Sequence, residues 1–212
     1  MILTNIDFPA LIVTATVWAY WLNVGHMAVR ARRRSRDLAG LVPQQALERL
    51  MWLLWVPMVI AWMVLPLLAQ TRPHSVFAVP AFARELAGYE AFRWVAAIVA
   101  VLCLHFTRRC WRRMGSDWRM AISEEQKSPL ITDGLFARVR HPIYALSILF
   151  VVCTTVVIPT VPMLAVALLN ISLLTLKAGN EERHLLKVHG DAYAAYLRQT
   201  GRFVPRWSAP VA

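Results

Sequence analysis

The sequence predicts an all-α, polytopic membrane protein with about five transmembrane helices. Of the 212 residues, 58% are hydrophobic and only 17% are charged, and the mean hydropathy is +0.48. Soluble domains usually contain ~45–50% apolar and ~25% charged residues, so this chain is too apolar for water alone. The net charge of +11 would by itself suggest nucleic acid or anionic lipid. In so apolar a chain it indicates basic loops at a membrane surface and no nucleic-acid partner.

Uncharged runs mark the individual spans. A bilayer core about 30 Å thick is crossed by ~20 helical residues, and residues 8–29 and 50–69 are long enough. The third span is weaker, because Arg93 and Arg108 are separated by only 14 residues without a charged side chain. That helix must begin near Glu90, and we expect the flanking arginines to extend towards the membrane surface. The predicted spans are 8–29, 46–69, 90–110, 143–158 and 162–178.

The last two spans are predicted to form a helical hairpin. Between Arg140 and Lys177 lie 36 residues without Lys, Arg, Asp or Glu. A single helix of that length would be ~54 Å long, well beyond the bilayer. Pro159 and Pro162, on either side of Thr160, indicate where one helix ends and the next begins.

Arginine-rich segments predict the orientation. Residues 30–36 and 108–119 each contain five arginines, and with these spans both segments fall on the same side. The positive-inside rule makes that side cytoplasmic, with the N-terminus outside and the C-terminus inside. The Ala- and Arg-rich composition favours a bacterial inner membrane.

A hairpin that turns at Thr160 brings the ionisable residues of both arms to one level. His141 and Gly179 are equally distant from the turn, and packed helices lie ~8–10 Å apart. The side chains expected within reach of one another are Arg140, His141 and Tyr144 on one arm and Lys177, Glu181 and Glu182 on the other. Glu182 is expected to point away from the Lys177–Glu181 face, by a helical step of ~100°. Spacing alone is also consistent with these residues acting as plain interface anchors.

Four motifs follow in order through the C-terminal half: RHPxY at 140–144, paired Glu181 and Glu182, GxxY at 190–193 and RFxP at 202–205. In this combination the chain resembles the isoprenylcysteine carboxyl methyltransferase and phospholipid methyltransferase family of integral membrane enzymes, over about residues 110–207. The resemblance implies S-adenosylmethionine as methyl donor, bound on the cytosolic side. It implies a catalytic region, 108–212, with the hairpin (143–178) and a cytoplasmic C-terminal helix, behind a three-span region, 1–107.

The resemblance also implies site residues. Glu181 stands at the family's cofactor-binding glutamate, and Lys177 stands where the family has a substrate-binding Arg; with Arg140 they are the expected catalytic residues. Lysine cannot form the bidentate clamp that arginine forms with a carboxylate, which argues against a prenylcysteine acceptor. The expected cofactor-binding residues are Pro129, Leu130, Ile131, Phe136, His141, Pro142, Ile143, Tyr144 and Glu181.

The chemistry of S-adenosylmethionine suits such a set. Glu181 can accept hydrogen bonds from its ammonium or hydroxyl groups, and Arg140 or His141 can pair with its carboxylate. Methyl transfer requires alignment and exclusion of water but no nucleophile on the protein. No metal site is expected, because His184 and His189 do not share a helix face.

Several interpretations stay open at this stage. The acceptor is expected to be a small molecule or a membrane lipid, and a thiol, a carboxylate, a phospholipid amine or another small lipophile would serve. An NAD(P)H-dependent sterol-type reductase and a non-catalytic membrane scaffold are the alternatives, and the oligomeric state cannot be read. Residues 185–196 form an interrupted apolar stripe, expected to cover the cofactor site. Packing residues are expected at Trp52, Trp55 and Trp62, and buried thiols at Cys103, Cys110 and Cys153.

Overall fold

The computed structural model describes residues 6–35, 46–72, 76–115, 118 and 130–206. Within these residues the chain forms seven α-helices and no strand, apart from an isolated bridge between Val139 and Gly201. The helices are α1 (Phe8–Ser35), α2 (Ala46–Thr71), α3 (Ala81–Glu85), α4 (Tyr89–Met114), α5 (Pro142–Val157), α6 (Val161–His189) and α7 (Asp191–Gln199). The predicted all-α class is confirmed.

Four helices, α1, α2, α4 and α6, are long and apolar enough to cross a membrane. The fifth, α5, is apolar but has only 16 residues, as expected for the short first arm of the hairpin. These helices confirm a multi-pass membrane protein. The third span begins at Tyr89, next to the expected start at Glu90.

The Arg93 side chain, near the start of the third span, is buried among protein groups. Its guanidinium forms ion pairs with Asp7 and Glu90 and donates from Nε to the carbonyl of Val157, 3.3 Å away. Partners on three segments satisfy the charge. Arg93 thereby connects the start of α1 to α4 and to the end of α5.

An aromatic cluster forms the centre of the bundle. Trp62 of α2 is fully buried, packs 5.2 Å from the ring of Phe150, and donates to Thr154 Oγ1 at 3.2 Å. Tyr20 of α1 joins it, with its ring 5.5 Å from Phe150. The predicted packing role of Trp62 is confirmed, and the three cysteines are free and buried as predicted.

The predicted hairpin between α5 and α6 is confirmed. Thr160 caps α6 by accepting a hydrogen bond from the Met163 amide at 3.3 Å, and Pro162 lies in the first turn. Helix α6 is longer than the predicted span that ended at residue 178, because no strong helix breaker occurs before Gly190. Gly190 has φ +52°, which an L-residue rarely adopts, and there the chain turns into α7.

Candidate active site

The ionisable side chains of the hairpin do converge. Tyr144 donates to Glu181 Oε1 at 2.5 Å, and His141 Nδ1 lies 3.5 Å from Glu181 Oε2. Lys177 Nζ is 4.0 Å from Glu181 Oε1, one turn away on α6. The two arms therefore hold a carboxylate, an imidazole, a phenol and an ammonium group within contact distance of one another.

These groups adjoin a cavity of about 240 Å³, which we call the polar cavity. Its lining contains eight of the nine expected cofactor residues, namely Leu130, Ile131, Phe136, His141, Pro142, Ile143, Tyr144 and Glu181. The ninth, Pro129, lies outside the described residues. Arg140 also contributes to the lining. Residues that sequence reasoning did not assign to the cofactor are Met114, Trp118, Leu185, Tyr193 and Tyr196.

A short 3-10 turn, Gly134–Ala137, presents Phe136 to the polar cavity. Gly134 has φ +61°, so the turn depends on a residue without a side chain. The preceding Asp133 accepts two hydrogen bonds from Arg113 at the end of α4, at 2.8 and 2.9 Å. This pairing lowers the pKa of Asp133 and connects the loop to the membrane bundle.

Helix α7 lies against the polar cavity through two buried tyrosines. Tyr196 donates to the Phe136 carbonyl at 2.5 Å, and burial raises the pKa of Tyr196 to about 12. Burial also raises the pKa of Tyr193 well above its usual value. The Tyr193 hydroxyl is buried without a hydrogen-bond partner among the described residues. Residues 185–196 thus lie beside the cavity as expected, divided between the last turn of α6 and α7.

Glu182 points away from Lys177 as expected, and there it is the centre of a buried ion cluster. Its carboxylate is buried and accepts from Arg140 Nε at 3.0 Å and from Arg202 Nε at 3.1 Å, while His141 Nε2 is 3.4 Å away. The helical step does turn Glu182 away from Lys177, but the C-terminal segment returns and covers that side. Sequence reasoning missed this ion cluster because Arg202, which completes it, is 20 residues away along the chain.

Arg140 is largely committed to the protein itself. Besides Glu182, it donates from Nη1 to the carbonyls of Leu197 and Thr200. The backbone amides of Arg140 and His141 donate to the carbonyls of Gly201 and Arg202 at 2.8 and 3.1 Å. These bonds hold the RFxP segment against the start of α5.

A second cavity of about 120 Å³, which we call the aromatic chamber, adjoins the first. The two share Trp118, Ile143 and Tyr144, and the chamber extends between α1, α2, α5 and α6. Its aromatic lining consists of Tyr20, Trp21, Trp52, Trp55, Trp111, Trp118 and Tyr144. The sequence interpretation of Trp52 and Trp55 as packing residues therefore missed a cavity, because the chamber exists only once α1 and α6 approach α2.

Lys177 and Glu181 lie at the junction of the two cavities. Lys177 lines the aromatic chamber and Glu181 lines the polar cavity. Among the described residues, no group of three or more His, Cys, Asp or Glu side chains could hold a metal ion. The arrangement is suited to holding a charged, polar molecule on one side of Tyr144 and an apolar molecule on the other.

Comparison with known families supports the resemblance seen in the motifs. Residues 94–187 match the model of the isoprenylcysteine carboxyl methyltransferase (ICMT) family. The matched range runs from the first turns of α4 through the hairpin and includes most of the polar-cavity lining. Comparison with curated proteins gives no match.

Proposed function

We propose that this chain is a membrane methyltransferase of the isoprenylcysteine carboxyl methyltransferase family, as its family match indicates. We further propose that it takes its methyl group from S-adenosylmethionine bound in the polar cavity. The observation that carries this proposal is the convergence of Tyr144, His141 and Glu181 on the polar cavity, which adjoins the aromatic chamber. The family match adds no support for a nicotinamide-dependent reductase.

The polar cavity fits the charges of S-adenosylmethionine. Glu181 can accept hydrogen bonds from the ammonium group or the ribose hydroxyls, and His141 can donate to the carboxylate. Tyr144 and Phe136 offer aromatic faces that attract a sulfonium cation. The Tyr193 hydroxyl has no hydrogen-bond partner in the part of the chain that the structure describes, so it is a further polar group that a bound molecule would satisfy. Arg140 acts mainly by holding Glu182 and the C-terminal segment in place.

The aromatic chamber is the proposed site of the methyl acceptor. When bound, S-adenosylmethionine would supply an electrophilic methyl group to the nucleophilic atom of the acceptor, and neutral S-adenosylhomocysteine would be the leaving product. The Lys177 ammonium, at the junction with Glu181, favours the anionic form of an acceptor nucleophile. The surrounding side chains align the two molecules and exclude water.

The proposal includes the orientation and the organisation of the chain. The basic C-terminal end of α4 adjoins the polar cavity through Met114, and Arg113 binds the loop that carries Phe136. A cytoplasmic position of this end agrees with the positive-inside rule and with a water-soluble methyl donor. Residues 108–212 form the proposed catalytic region, and α1 and α2 from residues 1–107 supply walls of the acceptor site.

Titration of the purified, detergent-solubilised protein with S-adenosylhomocysteine tests the donor site. Glu181→Gln and His141→Ala should each bind it about 10- to 150-fold more weakly, the equivalent of a lost charge-assisted hydrogen bond. Lys177→Ala is the matched control from the same cluster, because it should impair acceptor use and leave donor affinity close to wild type. Near-native affinity in both site variants, or binding of NADPH in place of S-adenosylhomocysteine, would contradict the proposal.

A further inference from the structure

We infer that the methyl acceptor carries a second, hydrogen-bond-accepting oxygen about 10 Å from its methylated atom, and that Trp21 and Asn170 in the aromatic chamber select for it. This inference rests on the proposed function and names the class of acceptor. The acceptor is then an oxygenated lipophile, in contrast to a plain hydrocarbon chain attached to a nucleophile.

Among the described residues, two polar atoms in the chamber lining have no hydrogen-bond partner. Trp21 Nε1 and Asn170 Nδ2 are both buried and make no hydrogen bond to any described residue. Asn170 is only 1% exposed, so its amide nitrogen is shielded from bulk water. Unsatisfied buried polar groups are uncommon in folded proteins because they destabilise the folded state. Two in the lining of one chamber indicate a ligand that completes them.

The chemistry of the two groups defines what the ligand must offer. An indole N–H can only donate, so the complementary ligand atom is an acceptor. The Asn170 amide donates through Nδ2, and rotation about its last side-chain bond can direct Nδ2 towards the chamber. An ether, ester, carbonyl or phenolic oxygen meets both requirements, while an alkyl or prenyl chain meets neither.

The helix gives the distance between this oxygen and the reacting atom. Asn170 and Lys177 lie seven residues apart on α6, which is two turns, so both face the same chamber. Two turns correspond to ~10.5 Å along the helix axis. Lys177 is at the junction with the polar cavity, so the oxygen lies about two turns deeper than the methylated atom. Leu173 and Leu174 cover the apolar stretch between them.

Matched pairs of synthetic probes test the inference with the full chain in detergent. The first pair is nonanethiol and terminally methoxylated heptanethiol, and the second is para-pentylphenol and para-(methoxypropyl)phenol. Within each pair one methylene is replaced by an ether oxygen ~10 Å from the nucleophilic atom. Relative affinities come from the rise in thermal midpoint that each probe causes in the presence of S-adenosylhomocysteine.

The wild-type protein should bind the methoxy member of at least one pair about tenfold more tightly than its alkyl isostere. Asn170→Leu and Trp21→Phe should each reduce that preference towards unity. Ser172→Ala is the control on the same helix, since Ser172 is exposed and bonds only within α6; it should keep the preference. Without probe, Asn170→Leu should be at least as thermally stable as wild type, because the substitution removes a buried amide nitrogen that no described residue pairs.

Failure of the inference is distinguishable from failure of the proposed function. Wild-type protein that does not bind S-adenosylhomocysteine contradicts the proposed function. If the protein binds S-adenosylhomocysteine normally but does not prefer the methoxy probes, only the inference is contradicted. The same holds if it binds S-adenosylhomocysteine normally and binds no probe at all. Without probe, the thermal midpoint of Asn170→Leu is compared with that of Ser172→Ala. A marked fall for Asn170→Leu would show that the Asn170 amide has a structural role, and this result would also overturn the inference.

Discussion

Replacement of Glu182 by Gln is the most direct test of how the C-terminal segment is held over the site. The side chains of Glu182 and Arg140 are 9% and 11% exposed, and Arg202 is 40% exposed. Glutamine keeps the size of the side chain and one carbonyl acceptor but removes the charge that both guanidinium groups share. Arg140 would then be a buried cation without a counterion among the residues that the structure describes.

The expected loss follows from these exposures. Truncating one partner of a fully buried pair costs about 3–5 kcal/mol, but Arg202 is exposed enough for water to replace most of its interaction. The loss therefore comes chiefly from the charge-assisted bond between Arg140 and Glu182, about 1.5–3 kcal/mol. For a chain of this size, 1 kcal/mol corresponds to about 2–4 °C, so the thermal midpoint should fall by about 3–12 °C.

Intrinsic tryptophan fluorescence during heating in detergent measures this change. Glu181→Gln is the matched control, because it makes the same chemical change one residue earlier at a more exposed carboxylate. It should lower the midpoint by less than half as much, while it weakens S-adenosylhomocysteine binding. A Glu182→Gln midpoint equal to that of wild type would refute the view that this buried ion cluster holds the C-terminal segment in place.

Three further predictions follow from the orientation, the hairpin and the buried tyrosines. A topology reporter fused after Ala212 should be active in the cytoplasm and one inserted at Val76 outside; activity of both on one side would contradict the five-span arrangement. Replacing Pro159 and Pro162 together by Ala should let the two hairpin arms extend as one helix, which separates His141 from Glu181. Titration should then show no S-adenosylhomocysteine binding, while carbonate extraction should show little change in membrane insertion. Burial raises the pKa of Tyr196 to about 12, against about 10 in an unfolded chain. Between these values the folded state holds more protons, so stability should fall as pH rises from about 10 to 12, and less steeply in Tyr196→Phe.

The sequence by itself determined the spans and the hairpin. Uncharged runs of about 20 residues reflect the cost of placing charge in a bilayer, and this constraint acts on the chain locally. Pro159 and Pro162 marked the turn for an equally local reason, since proline cannot continue a helix. Once the turn was located at Thr160, counting residues brought His141 and Tyr144 to Glu181, and the contacts follow that count.

The tertiary structure decided where distant segments meet. Glu182 became the centre of an ion cluster because Arg202 folds back onto it, 20 residues along the chain. Arg93 turned inwards because Asp7, 86 residues away, supplies its counterion. Trp52 and Trp55 line a chamber because α1 and α6 approach them. Each outcome depends on a partner that is remote in sequence, and neither helix periodicity nor local composition contains information about which remote partner arrives.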